Sequence, residues 1–299
     1  MRVEQAPEAI PLVGGLGALA DDYDGFIVDL WGVIHGGVEP YPGVIGTLER
    51  LDGMGKPVVL LSNAPRRSAA AGRRLRAIGV LDHLYRRLVT SGEVAHMALR
   101  DRPDAAHADL GRTYLYIGPA VDEDLLAGLD YAPVSDVEEA GFLLCVGLVD
   151  EADPLERYDP LFAAAAARGA PMVCVNPDLW VHRQSGATSP CAGLLAERYR
   201  ERHGGAVISQ GKPDPRVFHA AADALGLGAG GRILVIGDSL TTDVRGAARA
   251  GFDSLFVTRG IFARDLGIEP GEAPEPARLA ALCARHGERP VAAIPTLRW

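Results

Sequence analysis

The sequence predicts an α/β protein built around a parallel sheet, because short apolar runs that end in turn or polar residues alternate with amphipathic stretches. Several of these stretches are followed by a glycine, as helices often are. The predicted strands are Phe26–Leu30, Pro57–Leu61, Arg87–Val89, Thr113–Ile117, Phe142–Val146, Met172–Val175, Ala206–Ser209, Ile233–Ile236 and Ser254–Val257. The predicted helices are Val44–Met54, Arg66–Ile78, Gly92–Leu99, Pro154–Ala167, Ala192–His203, Arg216–Leu225 and Asp243–Ala250, with a last short helix after the Gly267–Pro276 loop.

Length and charge limit the kind of partner that the chain can have. A chain of 299 residues, 48% of them hydrophobic, is long enough for one large domain or two modest ones. Its formal net charge of -9 argues against a nucleic-acid or anionic-membrane partner, since both require a basic surface. A small diffusible substrate fits this composition better, and the sequence leaves a homodimer open.

The cysteines and the N-terminal segment indicate the cellular compartment. Cys145, Cys174, Cys191 and Cys283 are far apart and form no CxxC pair, so neither a zinc site nor a disulfide framework is predicted. Residues 1–24 contain acids and prolines in place of a basic segment followed by an apolar one, and no later apolar run is long enough to span a bilayer. We therefore predict a cytoplasmic protein.

Two breaks in composition indicate an inserted domain. The polar segments 101–104 and 203–205 bracket a middle block of the chain. We predict a main domain formed by residues 1–102 and 206–299, with residues 103–205 inserted as a second domain.

Polar residues follow the apolar strand runs at four places. Asp29 ends the first run, and Ser62-Asn63 follow the second at the start of a predicted helix. A buried carboxylate is costly without a partner, and ligands of parallel sheets collect at the carboxyl ends of the strands. A hydroxyl and N–H groups at a helix start can hold an oxyanion, although Ser62 is equally compatible with an ordinary N-cap.

The other two places lie in the C-terminal third of the chain. Lys212 is on a proline-bracketed loop before a predicted helix, and Asp238 and Asp243 follow the run Ile233–Ile236. Paired acids at a strand end are typical of a site for a hard cation such as Mg²⁺, which prefers oxygen ligands.

At these residues the chain resembles the haloacid dehalogenase (HAD) superfamily of hydrolases. The four motifs of that superfamily correspond, in order, to Asp29, to Ser62, to Lys212, and to Asp238 with Asp243. The middle block is similar to the NagD-like class IIA branch in three features, which are Asn176-Pro177-Asp178, Gly186 and Cys191-Ala192-Gly193. The resemblance implies a Rossmann-like core with a parallel sheet and an inserted α/β cap domain of the C2 type.

The resemblance also implies a phosphoryl-transfer mechanism. Asp29 would attack a phosphoryl group and form an aspartyl-phosphate that water then hydrolyses. Ser62 and the N–H of Asn63 would hold the phosphoryl oxygens. Lys212 would keep Asp29 ionised and offset charge during transfer.

The metal ligands implied by the resemblance lie on two of the motifs. Mg²⁺ would be bound by Asp29, the backbone carbonyl of Trp31, Asp238 and Asp243. Trp31 is also a departure from the family pattern, because phosphatases of this superfamily carry there a second aspartate that acts as general acid and base. An indole cannot transfer that proton, although the backbone carbonyl is retained.

Three replacements for the missing acid are open. His35 can supply the proton, or His182 or Arg183 of the cap can supply it when the cap closes. In the third alternative no replacement is needed, because the leaving group departs without a proton. Trp31 also has a packing interpretation, as a large ring that shapes the pocket. We assign Trp31, His35 and His182 to the substrate side of the site, and we regard Asp178 as a further cap residue for substrate selection.

Three functions follow from these residues. The first is a Mg²⁺-dependent phosphatase of a small phosphorylated metabolite, a sugar phosphate or similar compound. The second is a phospho-ligand binding or regulatory protein with weak turnover. The third is a hydrolase whose leaving group, an acyl phosphate or a halide, needs no general acid, although the acid pair Asp238 and Asp243 argues against halide displacement.

Overall fold

The computed structural model describes residues 9–183, 186–228 and 230–299, without the side chains of residues 121–123. The described chain divides into two compact units. The first unit consists of the described residues in the ranges 1–61, 74–88 and 212–299. The second unit consists of the described residues in the ranges 62–73 and 89–211. Each unit has its own sheet of parallel strands.

The larger sheet is six-stranded in the described chain, in the order β13-β12-β11-β1-β2-β3. Its strands are β1 (Gly25–Asp29), β2 (Val58–Ser62), β3 (Arg87–Thr90), β11 (Ile233–Gly237), β12 (Asp253–Val257) and β13 (Ala292–Ile294). β1 is central and runs parallel to both β2 and β11. Its five residues are all buried, which explains why the strand reads as a continuous apolar run up to its terminal aspartate.

The second sheet has the order β10-β7-β6-β4-β5, and its neighbouring strands are parallel. Its strands are β4 (Thr113–Ile117), β5 (Ala132–Val134), β6 (Phe142–Cys145), β7 (Met172–Cys174) and β10 (Val207–Ser209). A separate antiparallel hairpin is formed by β8 (Trp180–His182) and β9 (Thr188–Pro190). This hairpin carries the predicted substrate residue His182.

Helices connect the strands of both units. They are α1 (Val44–Gly53), α2 (Ser68–Ala77), α3 (Ser91–Asp101), α4 (Ala105–Ala108), α5 (Asp159–Ala167), α6 (Ala192–His203), α7 (Pro215–Leu225), α8 (Arg245–Ala250), α9 (Ala263–Leu266) and α10 (Pro276–His286). In the second unit α5 and α6 pack on one face of the sheet, where Phe162 and Tyr199 are fully buried. The opposite face packs against α3.

The predicted α/β fold with parallel strands is confirmed. Each of the nine predicted strands is present: Thr113–Ile117 has the predicted bounds, and the other eight differ by one residue at one or both ends. Predicted helix Pro154–Ala167 is split, because Leu155–Tyr158 form a 3₁₀ turn before α5 begins. Predicted helix Asp243–Ala250 also differs, since a π-helical turn at Leu240–Val244 precedes α8.

The compact units divide the chain at other positions than the domain limits predicted at residues 103 and 205. Helix α3 belongs to the second unit because Ala95 and Leu99 pack in the same core as Tyr114 and Phe142 of the second sheet. The predicted limits therefore stay a prediction. Within the described chain, no helix combines the length and the apolar composition that a bilayer crossing requires, and all four cysteines are buried free thiols.

We expect Phe162→Ala to destabilise the second unit by about 3–5 kcal/mol, since it deletes a fully buried ring. The ring stacks on Tyr158 at 6.0 Å between centroids and is tilted against Tyr199 at 5.3 Å. Urea unfolding followed by circular dichroism would measure the loss. Phe162→Leu is the control and should cost clearly less, because it keeps most of the buried volume. An equal cost for both variants would contradict cavity formation as the cause.

Candidate active site

Asp29, Lys212 and Asp243 meet in one buried cluster of the first unit. Asp29 ends β1, Lys212 lies on the loop before α7, and Asp243 follows β11. The Lys212 ammonium donates to Asp29 Oδ1 at 2.5 Å and to Asp243 Oδ1 at 2.6 Å. Lys212 is 3% exposed and Asp243 is 1% exposed, so this ammonium is held by two carboxylates away from water.

The loop after β11 places the remaining acid beside them. Ser239 caps the π-helical turn, since its hydroxyl accepts a hydrogen bond from Thr242 N at 3.2 Å. In the same turn Asp243 Oδ2 accepts from Ser239 N at 3.1 Å. Asp238 Oδ2 accepts from Ile261 N, also at 3.1 Å. Both carboxylates therefore have fixed orientations, and π-helical turns of this kind are frequent at functional sites.

The oxygens of Asp29, Asp238 and Asp243 form a donor set suited to a divalent cation. One carboxylate oxygen of each lies within 4.8 Å of the others, and the described residues contain no other such group of three. Burial, followed by the charges of Asp29 and Asp243, raises the pKa of Asp238 well above its ordinary value. If all three carboxylates are to be ionised together, Lys212 alone compensates only part of their charge. A hard divalent ion fits this all-oxygen set and would balance the remainder.

The chain after Asp29 passes close to Asp238. Gly32 adopts a left-handed conformation, with a φ of +86°, and a Cβ placed on it would lie 2.0 Å from Asp238 Oδ2. Only glycine fits at this approach. The peptide that joins Trp31 to Gly32 therefore lies beside the acid cluster. The resemblance to the family implies that the Trp31 carbonyl is a metal ligand. That ligand role stays a prediction.

The indole of Trp31 packs within its own loop. Its ring meets the His35 imidazole edge-on, with centroids 5.5 Å apart. Burial, with a smaller contribution from Arg74, lowers the pKa of His35 to about 4. His35 Nδ1 accepts a hydrogen bond from Gly37 N at 3.0 Å, so the neutral ring is protonated on Nε2. This environment does not favour His35 as an imidazolium donor at neutral pH.

Ser62 is the last residue of β2, and Asn63 follows it. The strand register pairs Asp29 with Leu61, the residue before Ser62, so β1 and β2 end at the same edge of the sheet. Both side chains are buried, and Ser62 Oγ accepts a hydrogen bond from Ala64 N at 3.2 Å. In the compact-unit division these two residues group with the second unit.

The predicted cap residue His182 lies on the β8–β9 hairpin of the second unit, where its Nδ1 is 3.4 Å from the hydroxyl of Thr188. On the same hairpin Arg183 Nε donates to Ser189 Oγ at 2.7 Å. Ser189 donates in turn to Glu151 at 2.9 Å, which ties the hairpin to the loop after β6. The assignment of His182 to substrate binding stays a prediction.

Ser91 is a residue of the site region that the sequence interpretation missed. It begins α3, and its hydroxyl donates to Asn63 Oδ1 at 3.1 Å. No sequence motif joins two residues 28 positions apart. A serine at the start of a helix is ordinarily interpreted as part of the helix cap.

The chain matches known hydrolases over most of its length. Residues 26–132 match the family of haloacid dehalogenase-like hydrolases, and residues 209–282 match a HAD-hydrolase-like family. A solved structure, described as a hydrolase of the haloacid dehalogenase-like family from Brucella suis 1330, is 31% identical. The alignment covers 95% of this chain and 99% of that one, with a TM-score of 0.79.

Two further relatives, a sugar-phosphatase and a chronophin, are similar to this chain over most of their length. The sugar-phosphatase AraL of Bacillus subtilis is 29% identical over 239 residues, covering 79% of this chain and 83% of the relative. Human chronophin is 28% identical over 257 residues, covering 79% of this chain and 81% of the relative.

Proposed function

Because this chain belongs to the haloacid dehalogenase-like hydrolases, in the NagD-like class IIA branch, we propose that it is a Mg²⁺-dependent phosphatase of a small phosphorylated metabolite. The observation that carries this proposal is the buried cluster in which Lys212 bonds both Asp29 and Asp243, with Asp238 beside them. A sugar phosphate or similar compound is the proposed substrate class, and the similarity to a sugar-phosphatase supports it.

Asp29 is the proposed nucleophile. Its carboxylate attacks phosphorus, an O–P bond forms, and the bond from phosphorus to the leaving oxygen breaks. Water then attacks the phosphorus of the aspartyl-phosphate and releases inorganic phosphate and free Asp29. Lys212 fixes the carboxylate through Oδ1, and its positive charge offsets charge on the transferring group.

The proposed metal ligands are Asp29, the Trp31 carbonyl, Asp238 and Asp243. When bound there, Mg²⁺ would supply positive charge for the phosphoryl oxygens. Ser62 and the N–H of Asn63 are proposed to hold the same oxygens, since Ser62 ends β2 at the edge of the sheet where Asp29 ends β1, and Asn63 is the next residue. Trp31, His35 and His182 are proposed to contact the rest of the substrate. The cytoplasmic location and a homodimer also stay predictions.

Removal of divalent cations should lower phosphate release at least about 100-fold, and Mg²⁺ should restore it. The measurement is a phosphate-release panel of alkyl, aryl and acyl phosphates before and after EDTA. Asp238→Asn should raise the Mg²⁺ concentration needed for half activity. The control is Asp253→Asn, which changes a carboxylate bonded to Tyr23 at the start of β12. Full activity in thoroughly chelated protein would contradict the metal site.

Trp31 favours a second candidate function, a phospho-ligand binding or regulatory protein with weak turnover. The indole occupies the position that the family uses for its general acid, and its ring is packed against His35. Binding and attack do not need that acid, whereas an alkoxide leaving group does. Multiple turnovers of a physiological phosphate ester, abolished by EDTA, would exclude this candidate.

A further inference from the structure

We propose that Asp178 is a positioning residue. Through the side chain of Asn63 it fixes the segment Ser62-Asn63, here called the phosphate-holding loop. The proposal rests on the proposed function, because it assigns to Ser62 and Asn63 the holding of phosphoryl oxygens. The Asn63 amide nitrogen Nδ2 donates to Asp178 Oδ1 at 2.8 Å. Asp178 would therefore act on the substrate only through Asn63.

The Asn63 amide is held at both ends. A carboxylate only accepts hydrogen bonds, so the NH₂ end of Asn63 must face Asp178. The carbonyl end then faces Ser91, whose hydroxyl donates to Oδ1 at 3.1 Å. One orientation of the amide satisfies both partners. Because Asn63 is buried and bonded on both sides, its backbone N–H is fixed along with its side chain.

Asp178 is itself held on a rigid support. Its backbone N–H donates to Asn176 Oδ1 at 3.1 Å, which closes the Asn-Pro-Asp turn. Its carbonyl accepts from Gly193 N at 3.2 Å, in the first turn of α6. The carboxylate that reaches Asn63 is therefore anchored to a helix of the second unit.

The segment before Lys212 lies against the same pair. Gly211 has a φ of +112°, and a Cβ placed there would lie 2.0 Å from Ser91 Oγ and 2.5 Å from Asn63 Oδ1. Only a glycine can follow this path. The Ser91–Asn63–Asp178 network thus borders two segments with proposed roles, the phosphate-holding loop and the residue that precedes Lys212.

The test is a double-mutant cycle on Asn63 and Asp178. Asn63→Ala keeps the backbone N–H but removes the side-chain anchor, and Asp178→Ala removes the partner. We expect each to lower kcat/KM about 10- to 100-fold, the effect of losing a hydrogen bond to a charged group. The double variant should be no worse than either single variant, because both remove the same interaction. Additive losses would overturn the proposal, since they would show that Asp178 acts independently of Asn63.

Two further variants separate positioning from general structural damage. Asp178→Asn keeps an oxygen acceptor for Asn63 Nδ2 and should recover most of the activity. Asp136→Ala is the control, because it removes another carboxylate of the second unit that accepts a backbone hydrogen bond, at 2.9 Å from Glu138 N. It should leave activity unchanged. An Asp178→Asn protein as impaired as Asp178→Ala, at equal melting temperature, would overturn the proposal.

Binding of inorganic phosphate, measured by calorimetry with Mg²⁺ present, supplies a readout that does not depend on turnover. Asp178→Ala and Asn63→Ala should weaken phosphate binding by similar factors. If the wild-type protein binds phosphate but hydrolyses no ester, the proposed phosphatase function is wrong. The positioning role is still tested in that case, by comparing the phosphate affinities of the wild-type protein and the two variants. Unchanged phosphate affinity in Asp178→Ala would overturn the positioning role alone, and a wild-type protein that binds no phosphate would overturn both.

Discussion

Asp29→Asn is expected to abolish phosphate release, with a loss on the order of 10⁴–10⁶-fold in kcat, as for other enzymes that lose their nucleophile. An amide cannot form the acyl phosphate that the proposed mechanism requires. The substitution keeps the shape of the side chain and leaves an oxygen that can accept from Lys212 Nζ. In the wild-type protein Lys212 Nζ lies 2.5 Å from Asp29 Oδ1. The loss should therefore come from chemistry rather than from unfolding.

A trapping experiment would locate the phosphoryl group directly. Acid quenching during turnover of a ³²P-labelled substrate should leave label on the wild-type protein and none on Asp29→Asn. The matched control is Asp24→Asn, at the other end of β1, where the carboxylate accepts from Arg232 N at 2.8 Å. It should behave as wild type. Residual activity above about 1% in Asp29→Asn, beyond what a lost nucleophile permits, would place the nucleophile elsewhere.

The position of Asp29 could be predicted from sequence because the signals are local. A fully buried strand of a parallel sheet reads as an apolar run, and a charged residue at its end stands out. The same reasoning selected Asp238 and Asp243 after β11, and the structure brings all three carboxylates together with Lys212. Their meeting follows from sheet topology, since β1 and β11 are parallel neighbours whose carboxyl ends share one edge.

Four short strands carried too little pattern to be predicted. Strands β5, β8, β9 and β13 were not predicted; each has only three residues, so the pattern is weak. The equally short β7 and β10 were predicted from the apolar runs that contain them, so length alone does not decide the outcome. Pro133 in β5 and Pro190 in β9 also argue against a strand, because proline has no N–H to donate. These strands depend on tertiary packing rather than on their own residues.

Long-range partners could not be predicted for a different reason. The apolar face of α3 reads the same whichever sheet it packs on, so the grouping of Leu99 with Phe142 is decided only in the folded chain. Likewise the bond from Ser91 to Asn63 depends on where α3 is placed. The sequence identifies Asn63 as a strand-end residue, whereas the partners that fix its side chain require coordinates.

Trp31→Asp is expected to raise kcat/KM for alkyl phosphates about 100-fold or more while changing aryl phosphates little, since general acid catalysis is typically worth about 10²–10⁴-fold. An alkoxide is a poor leaving group unless it is protonated, whereas a nitrophenolate departs without a proton. In the wild-type protein the indole cannot donate that proton, and His35 is neutral because burial lowers its pKa to about 4. The rate of the wild-type enzyme should therefore fall steeply as the leaving group becomes more basic.

The measurement is the slope of log kcat/KM against the pKa of the leaving alcohol or phenol, over a series of phosphate monoesters. Wild type should show a steep negative slope and Trp31→Asp a shallower one. Trp31→Asn is the matched control, because it has the shape of aspartate and creates the same space without an ionisable group. It should keep the steep slope of wild type.

The control also separates acid catalysis from a change in packing. Trp31 packs edge-on against His35, and the Gly37 backbone lies against its ring, so either substitution opens the loop after β1. If Trp31→Asn accelerates alkyl phosphates as much as Trp31→Asp does, the gain comes from access to Asp29 and the indole acts by filling the pocket. If the slope is shallow in the wild-type protein and equally shallow in both variants, another residue already protonates the leaving group. The prediction that Trp31 removes the general acid would then be wrong.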